Sequence, residues 1–160
     1  MHDDAIRQSV RSQYGAALAM LHTAIAQCPA ALWDDPDDKN RFWHVAYHAL
    51  FYTHLYLAPS LDDFVAWPGH RAGYERMETP PAPPYSPADL LVFLAECGAH
   101  AARQLATLDF AAPSGFHWLP MTKLEVQFYT LRHLQTHVGE LAERLSQRAD
   151  IDVGWVGMRA

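Results

Sequence analysis

Apolar residues return every three or four positions along the opening segment, at Ile6, Val10, Tyr14, Leu18, Leu21, Ile25 and Cys28. That interval matches the 3.6-residue helical turn and predicts an amphipathic helix, which Pro29 ends because proline has no amide to donate. The stretch DDPDDKN follows, with aspartates suited to capping and a proline suited to a first helical turn. It predicts a second helix from about residue 38 to Leu57, closed by Pro59. Phe42, Val45, Leu50, Phe51, Tyr52, Leu55 and Tyr56 fall on every face of that helix, so it is expected to be buried on several sides.

Residues 59–86 hold Pro59, Pro68, Pro80, Pro81, Pro83 and Pro84 and keep neither period, apart from a short helical turn expected at SLDDFVAW. So long a stretch reads as a crossover spanning the body, with a lid over a site as the alternative. Ser86 as cap, Pro87 in the first turn and Asp89 three residues after the cap then open a third helix, to about Leu108. DFAAPSGFHWLP is loop. TKLE at 122–125 reads as a capping box for a fourth helix to about Gln147, and the tail DIDVGWVGMRA is expected to tuck Trp155 onto the body. No strand pattern or repeat interrupts this series. The expected fold is all-α: one domain over residues 1–160, a four-helix bundle with a long crossover connection between helices two and three.

Composition narrows the function classes. A chain of 160 residues buries a real core without disulfides or structural metal. With a net charge of -6 and only 12 lysines and arginines, it lacks the basic footprint that nucleic acid or an anionic membrane surface requires. Cys28 and Cys97 sit in no CxxC pair and read as small buried hydrophobes. MHDDAIRQS has neither a basic nor an apolar signal region, and His22, Thr23, Gln27 and Pro29 spoil the run from Tyr14 to Trp33 as a membrane span. A cytoplasmic location is the expectation. The Ala and Leu face of the first helix suits a homodimer.

The remaining chemistry lies in histidine. His44 with His48, and His133 with His137, are spaced one helical turn apart, about 5 to 6 Å at Cβ, close enough to share an ion. Spacing alone decides little, since ten histidines in 160 residues give about 0.6 such pairs by chance. On the fourth helix Leu124, Phe128, Leu131, Val138 and Leu145 form the apolar stripe, while His133 and His137 lie nearly opposite, beside Tyr129, Thr136 and Glu140. A solvated face and a ligand pair both remain open there. His44 and His48 share a face with Phe51 and Leu55 on the apolar second helix, where a buried imidazole needs a partner. Trp43, Tyr47, Tyr52 and Tyr129 read as core packing, Glu125 as part of the cap, and His54, His70, His100 and His117 as surface residues.

Taken together, the four-helix plan, the long connection after helix two, FWHVAYHALFYTHLYL and RHLQTHVGEL resemble the DinB-like family, also called DinB/YfiT-like metalloenzymes. The likeness covers nearly the whole chain, and its most specific part is one histidine on helix two joined to HxxxH on helix four. It implies that His48, His133 and His137 hold a divalent metal ion, zinc, nickel or iron, with positions left open for substrate. His48 occupies the family's YHxLF position and His44, one turn earlier, is the alternate ligand. Where the family continues with Arg-Gly-Gln, this chain has Val138, Gly139 and Glu140; Glu140 is the candidate to orient a ligand imidazole or accept a proton. The resemblance implies a metal-dependent enzyme acting on a small-molecule substrate, a thiol among the candidates, by transferase or hydrolase chemistry. The reading set against it is a stress-associated helical bundle that holds a metal or none and turns nothing over.

Overall fold

A computed structural model describes residues 2–78 and 81–159. It is all-helical: α1 (His2–Gln27), α2 (Ala30–Trp33), α3 (Phe42–Leu57), α4 (Pro87–Thr107) and α5 (Lys123–Ala149), with no strand among the described residues. The helix α1 packs on α4 and α5, and α3 packs on the same two from the other side. The second helix expected from the sequence is therefore α3, and α3 is buried almost throughout, as its all-round apolar pattern requires. The Ala17, Leu18, Leu21 and Ala24 face of α1 is spent inside this core.

Two boundaries follow their caps. Ser86 Oγ accepts from the Asp89 amide at 3.1 Å while Asp89 Oδ2 accepts from the Ser86 amide at 3.0 Å, which fixes the start of α4. Thr122 Oγ1 accepts from the Glu125 amide and starts α5. That helix runs two residues past Gln147, to Asp150 in the left-handed region at φ 55°, whose amide donates to Leu145.

The start of α3 differs from expectation. It begins at Phe42, not near residue 38, and no side chain caps it. The aspartates of DDPDDKN are engaged elsewhere: Asp38 accepts from Arg144 Nη1 at 3.0 Å and from Arg148 Nη1 at 2.8 Å, and Asp35 pairs with Arg148. They clamp the connection onto α5, and the short helix α2, unforeseen from the pattern, fills the space after Pro29.

The crossover is held by its aromatics. Trp67 stacks on Phe93 at 4.6 Å, Tyr85 is buried and donates to the Gly69 carbonyl at 2.7 Å, and Trp33 Nε1 donates to the Tyr85 carbonyl at 2.8 Å. SLDDFVAW forms only a turn, closed by the Phe64 amide on Leu61. Pro80 lies outside the described residues. At the other end the tail docks through Ile151, Val153 and Val156, but Trp155 is 78% exposed. Gly154 at φ 74° reverses the inward alternation of 151 and 153, so Val156 packs in place of Trp155.

The buried face of α5 also corrects the wheel. It consists of Val126, Gln127, Thr130, Leu134, Val138, Leu141 and Leu145, whereas Phe128 is 59% exposed. Two polar residues occupy this face because they are satisfied: Tyr14 donates to Gln127 Oε1 at 2.9 Å, and Thr130 Oγ1 donates to the Val126 carbonyl at 2.7 Å. Tyr14→Phe, which orphans that buried acceptor, is expected to cost about 1 to 3 kcal/mol in urea denaturation.

Candidate metal centre

Rotating the α5 face onto Leu134 places His137 about 60° and His133 about 100° from its centre, on the flank beside α3 rather than opposite the core. Both are half-buried, as is His48. His133 Nε2 stands 3.2 Å from His48 Nε2 and 3.2 Å from His137 Nε2. The ring planes are inclined by 58°, 83° and 87°, so the rings meet through their edges rather than by stacking. Two nitrogens bound at 2.0 to 2.1 Å and at a tetrahedral angle on one ion lie about 3.3 Å apart. His48, His133 and His137 could hold a metal ion, and among the described residues they are the group of three or more such side chains gathered closely enough to do so.

The tautomers favour it. His48 Nδ1 donates to the Glu75 carbonyl at 2.7 Å, which leaves its Nε2 with a lone pair. His137 Nδ1 donates to Glu140 Oε2 at 3.2 Å, with the same result. Both lone pairs point at His133 Nε2, which can offer at most one hydrogen between them. His133 Nδ1 is buried with no partner. Three converging acceptors and too few donors make a poor hydrogen-bond network and a good cation site.

The electrostatics agree. Burial pushes His48 down to about 4, against the Glu75 hydrogen bond that favours its charged form. Burial, with the neighbouring histidines next, pushes His133 down to about 4 as well. Both rings are neutral at pH 7, as metal ligation requires. Glu140 is held below the usual carboxylate range, first by the hydrogen bond from His137 and in spite of its burial. Its Oε1 accepts from Arg144 Nη2 at 3.1 Å, and Arg144 Nη1 in turn reaches Asp38. A chain Asp38, Arg144, Glu140, His137 thus runs from the loop before α3 to the cluster. Glu140 and Arg144 stand one turn apart on α5 and are legible as a pair. Asp38 is not, because only folding brings it there.

The other expected residues are distributed as follows. His44 is buried, stacked on Trp43, and its Nε2 donates to the Tyr74 carbonyl at 2.8 Å, so the alternate ligand is not brought to the cluster. Trp43 and Tyr47 are core residues. Tyr52 borders the cluster, its ring 4.8 Å from His48 and 5.7 Å from His133. Tyr129 is half-buried against Tyr56. Of the histidines expected on the surface, only His117 is exposed: His54 is 5% exposed, His100 is half-buried beside it, and His70 Nδ1 meets the Tyr47 hydroxyl at 2.5 Å. The crossover and α4 cover them, and no local periodicity announces that cover.

No helix among the described residues is long and apolar enough to cross a membrane. Comparison with protein-family models, curated proteins and solved structures finds no match to this chain.

Proposed function

We propose that this chain is a metal-dependent enzyme of the DinB-like kind, a four-helix bundle whose crossover between α3 and α4 braces a three-histidine centre. His48, His133 and His137 would hold a zinc, nickel or iron ion through Nε2. A divalent ion so held lowers the pKa of a bound water or thiol and supplies a nucleophile near neutral pH. The convergence of three Nε2 atoms, two with tautomers fixed by the Glu75 carbonyl and Glu140, carries the reading.

The chain's own residues divide the remaining work. Glu75 and Glu140 aim the rings of His48 and His137 and hold their Nδ1 protons, and Arg144 fixes Glu140. Tyr52 walls the approach and would pack against a small-molecule substrate, for which a thiol is the leading candidate. Glu140 has both oxygens engaged, so it acts as a positioning residue for His137. Glu140→Gln is expected to weaken metal affinity about 10- to 100-fold, read by competition with a chromophoric chelator.

The same engagement of Glu140 favours the second reading, a bundle that holds the ion without turnover, because it leaves no free carboxylate base beside the ligands. A screen of thiol-transfer and ester substrates separates the two. The enzyme reading expects turnover that chelation abolishes and metal restores; turnover indifferent to chelator, or none with the metal-loaded protein, goes against it.

A further inference from the structure

A cleft of about 740 Å³ opens between α3, α4 and the crossover, lined among others by His54, Asp63, Trp67, Glu96, His100 and Arg103. It lies away from the three-histidine cluster: His54 follows His48 by six residues, which turns it about 120° around α3. The rings of His54 and His100 stand 4.4 Å apart with planes inclined by 43°. That is closer than the ring pairs of the three-histidine cluster, which lie 4.7 to 5.1 Å apart. Phe64 and Phe93 meet the His54 ring edge-on and fix it.

Both imidazoles carry an unanswered atom. His54 Nδ1 and His100 Nε2 are buried and have no hydrogen-bond partner. His54 itself is 5% exposed and lines the cleft. Burial pushes His54 down to about 4 and lowers His100, so both rings are neutral at pH 7 and each keeps a lone pair. Glu96, one turn before His100 on α4, brings a carboxylate to the same cleft, its Oε1 taking a hydrogen bond from Arg103 Nη2 at 2.7 Å. Arg103 and Glu96 are 57% and 40% exposed, so this pair exchanges with solvent at little cost. With Arg103 tied to Glu96, Asp63 on the opposite wall and both imidazoles neutral, the cleft has no free positive group to attract an anion.

We propose that His54 and His100, with Glu96 as third donor, form a second cation site in this cleft, for a late first-row divalent ion, Cu2+ foremost. Two imidazoles and one carboxylate are donors that Cu2+, Ni2+ and Zn2+ favour and that Mg2+ and Ca2+ do not. Among the divalent ions Cu2+ leads the affinity order.

The test uses the full chain carrying His48→Ala and His133→Ala, which removes the first centre, titrated with Cu2+ and read by electron paramagnetic resonance and by chelator competition. The expected result is about one bound ion with nitrogen hyperfine structure from two imidazoles. Adding His100→Ala, a change to a better helix former on α4, is expected to lower that affinity by more than about 100-fold, and Glu96→Gln by about 10-fold. Far-UV circular dichroism checks that each variant folds, and His100→Gln repeats the test where alanine does not. Binding that persists unchanged without His100, a spectrum with oxygen ligands only, or no bound Cu2+ in the double variant overturns the proposal.

Discussion

His133→Ala is expected to lower the affinity of the protein for Zn2+ by more than about 100-fold while leaving the helical fold intact. The lower bound follows from the centre's geometry. Loss of a residue that merely orients a ligand costs about 10- to 100-fold, whereas His133 is itself the nitrogen that both other ligand nitrogens face at 3.2 Å. The fold should survive because His133 Nδ1 has no partner to lose and the ring sits at the flank of the α5 core face, not on it. The consequence shows in thermal melts. Wild type at a Zn2+ concentration about 100 times its Kd gains about 2.7 kcal/mol, a rise of about 5 to 10 °C for a chain of this length. The variant should melt at one temperature with or without the ion. An equal rise in both proteins would place the ion somewhere other than the cluster.

The metal-free protein is expected to lose most of its stability between pH 6.5 and pH 4. His48, His54 and His133 are each pushed down to about 4, and His44 and His100 are lowered too, in every case first by burial. In the unfolded chain these rings titrate near 6.5, so between the two values the unfolded state binds more protons than the folded one. Stability is therefore complete above about pH 6.5 and falls as the pH drops towards the folded values. His54, almost fully buried, contributes roughly 3 kcal/mol of this on its own. His48 and His133 repel one another once charged, so their shares are not simply additive. Against a total stability of about 5 to 15 kcal/mol, three or more such groups suffice to unfold the protein before the lower limit is reached. Urea denaturation in chelator at a series of pH values measures it; a midpoint that stays flat from pH 7 to pH 5 would contradict it. Saturating Zn2+ should move the loss to lower pH, since ion and protons compete for the same nitrogens.

Patterns that the chain writes locally were readable. The period of three and four at Ile6 through Ile25 became α1, Ser86 with Asp89 capped α4, and the all-round apolar character of FWHVAYHALFYTHLYL became burial of α3. HxxxH on α5 gave His133 and His137 at one turn, but spacing could not say which way they face. The wheel failed there because it assumed that apolar side chains mark the core, while Phe128 points outward and Gln127 and Thr130 point in, each satisfied by a hydrogen bond. The convergence on His48 depends on how α3 packs against α5, and the loop contacts depend on the crossover. The Glu75 carbonyl behind His48, Asp38 behind Arg144, and the burial of His54 and His100 all join residues far apart in sequence. No periodicity records those meetings.

The central claim is that Nε2 of His48, His133 and His137 share one ion. An anomalous difference map from crystals of the wild-type protein, purified without chelator and supplied with Zn2+, tests it directly. The expected result is a single strong peak about 2.0 to 2.2 Å from each of the three Nε2 atoms, with Glu140 still bonded to His137 Nδ1. No peak between the three rings, or a zinc ion bound through His44 in place of His48, would contradict the account.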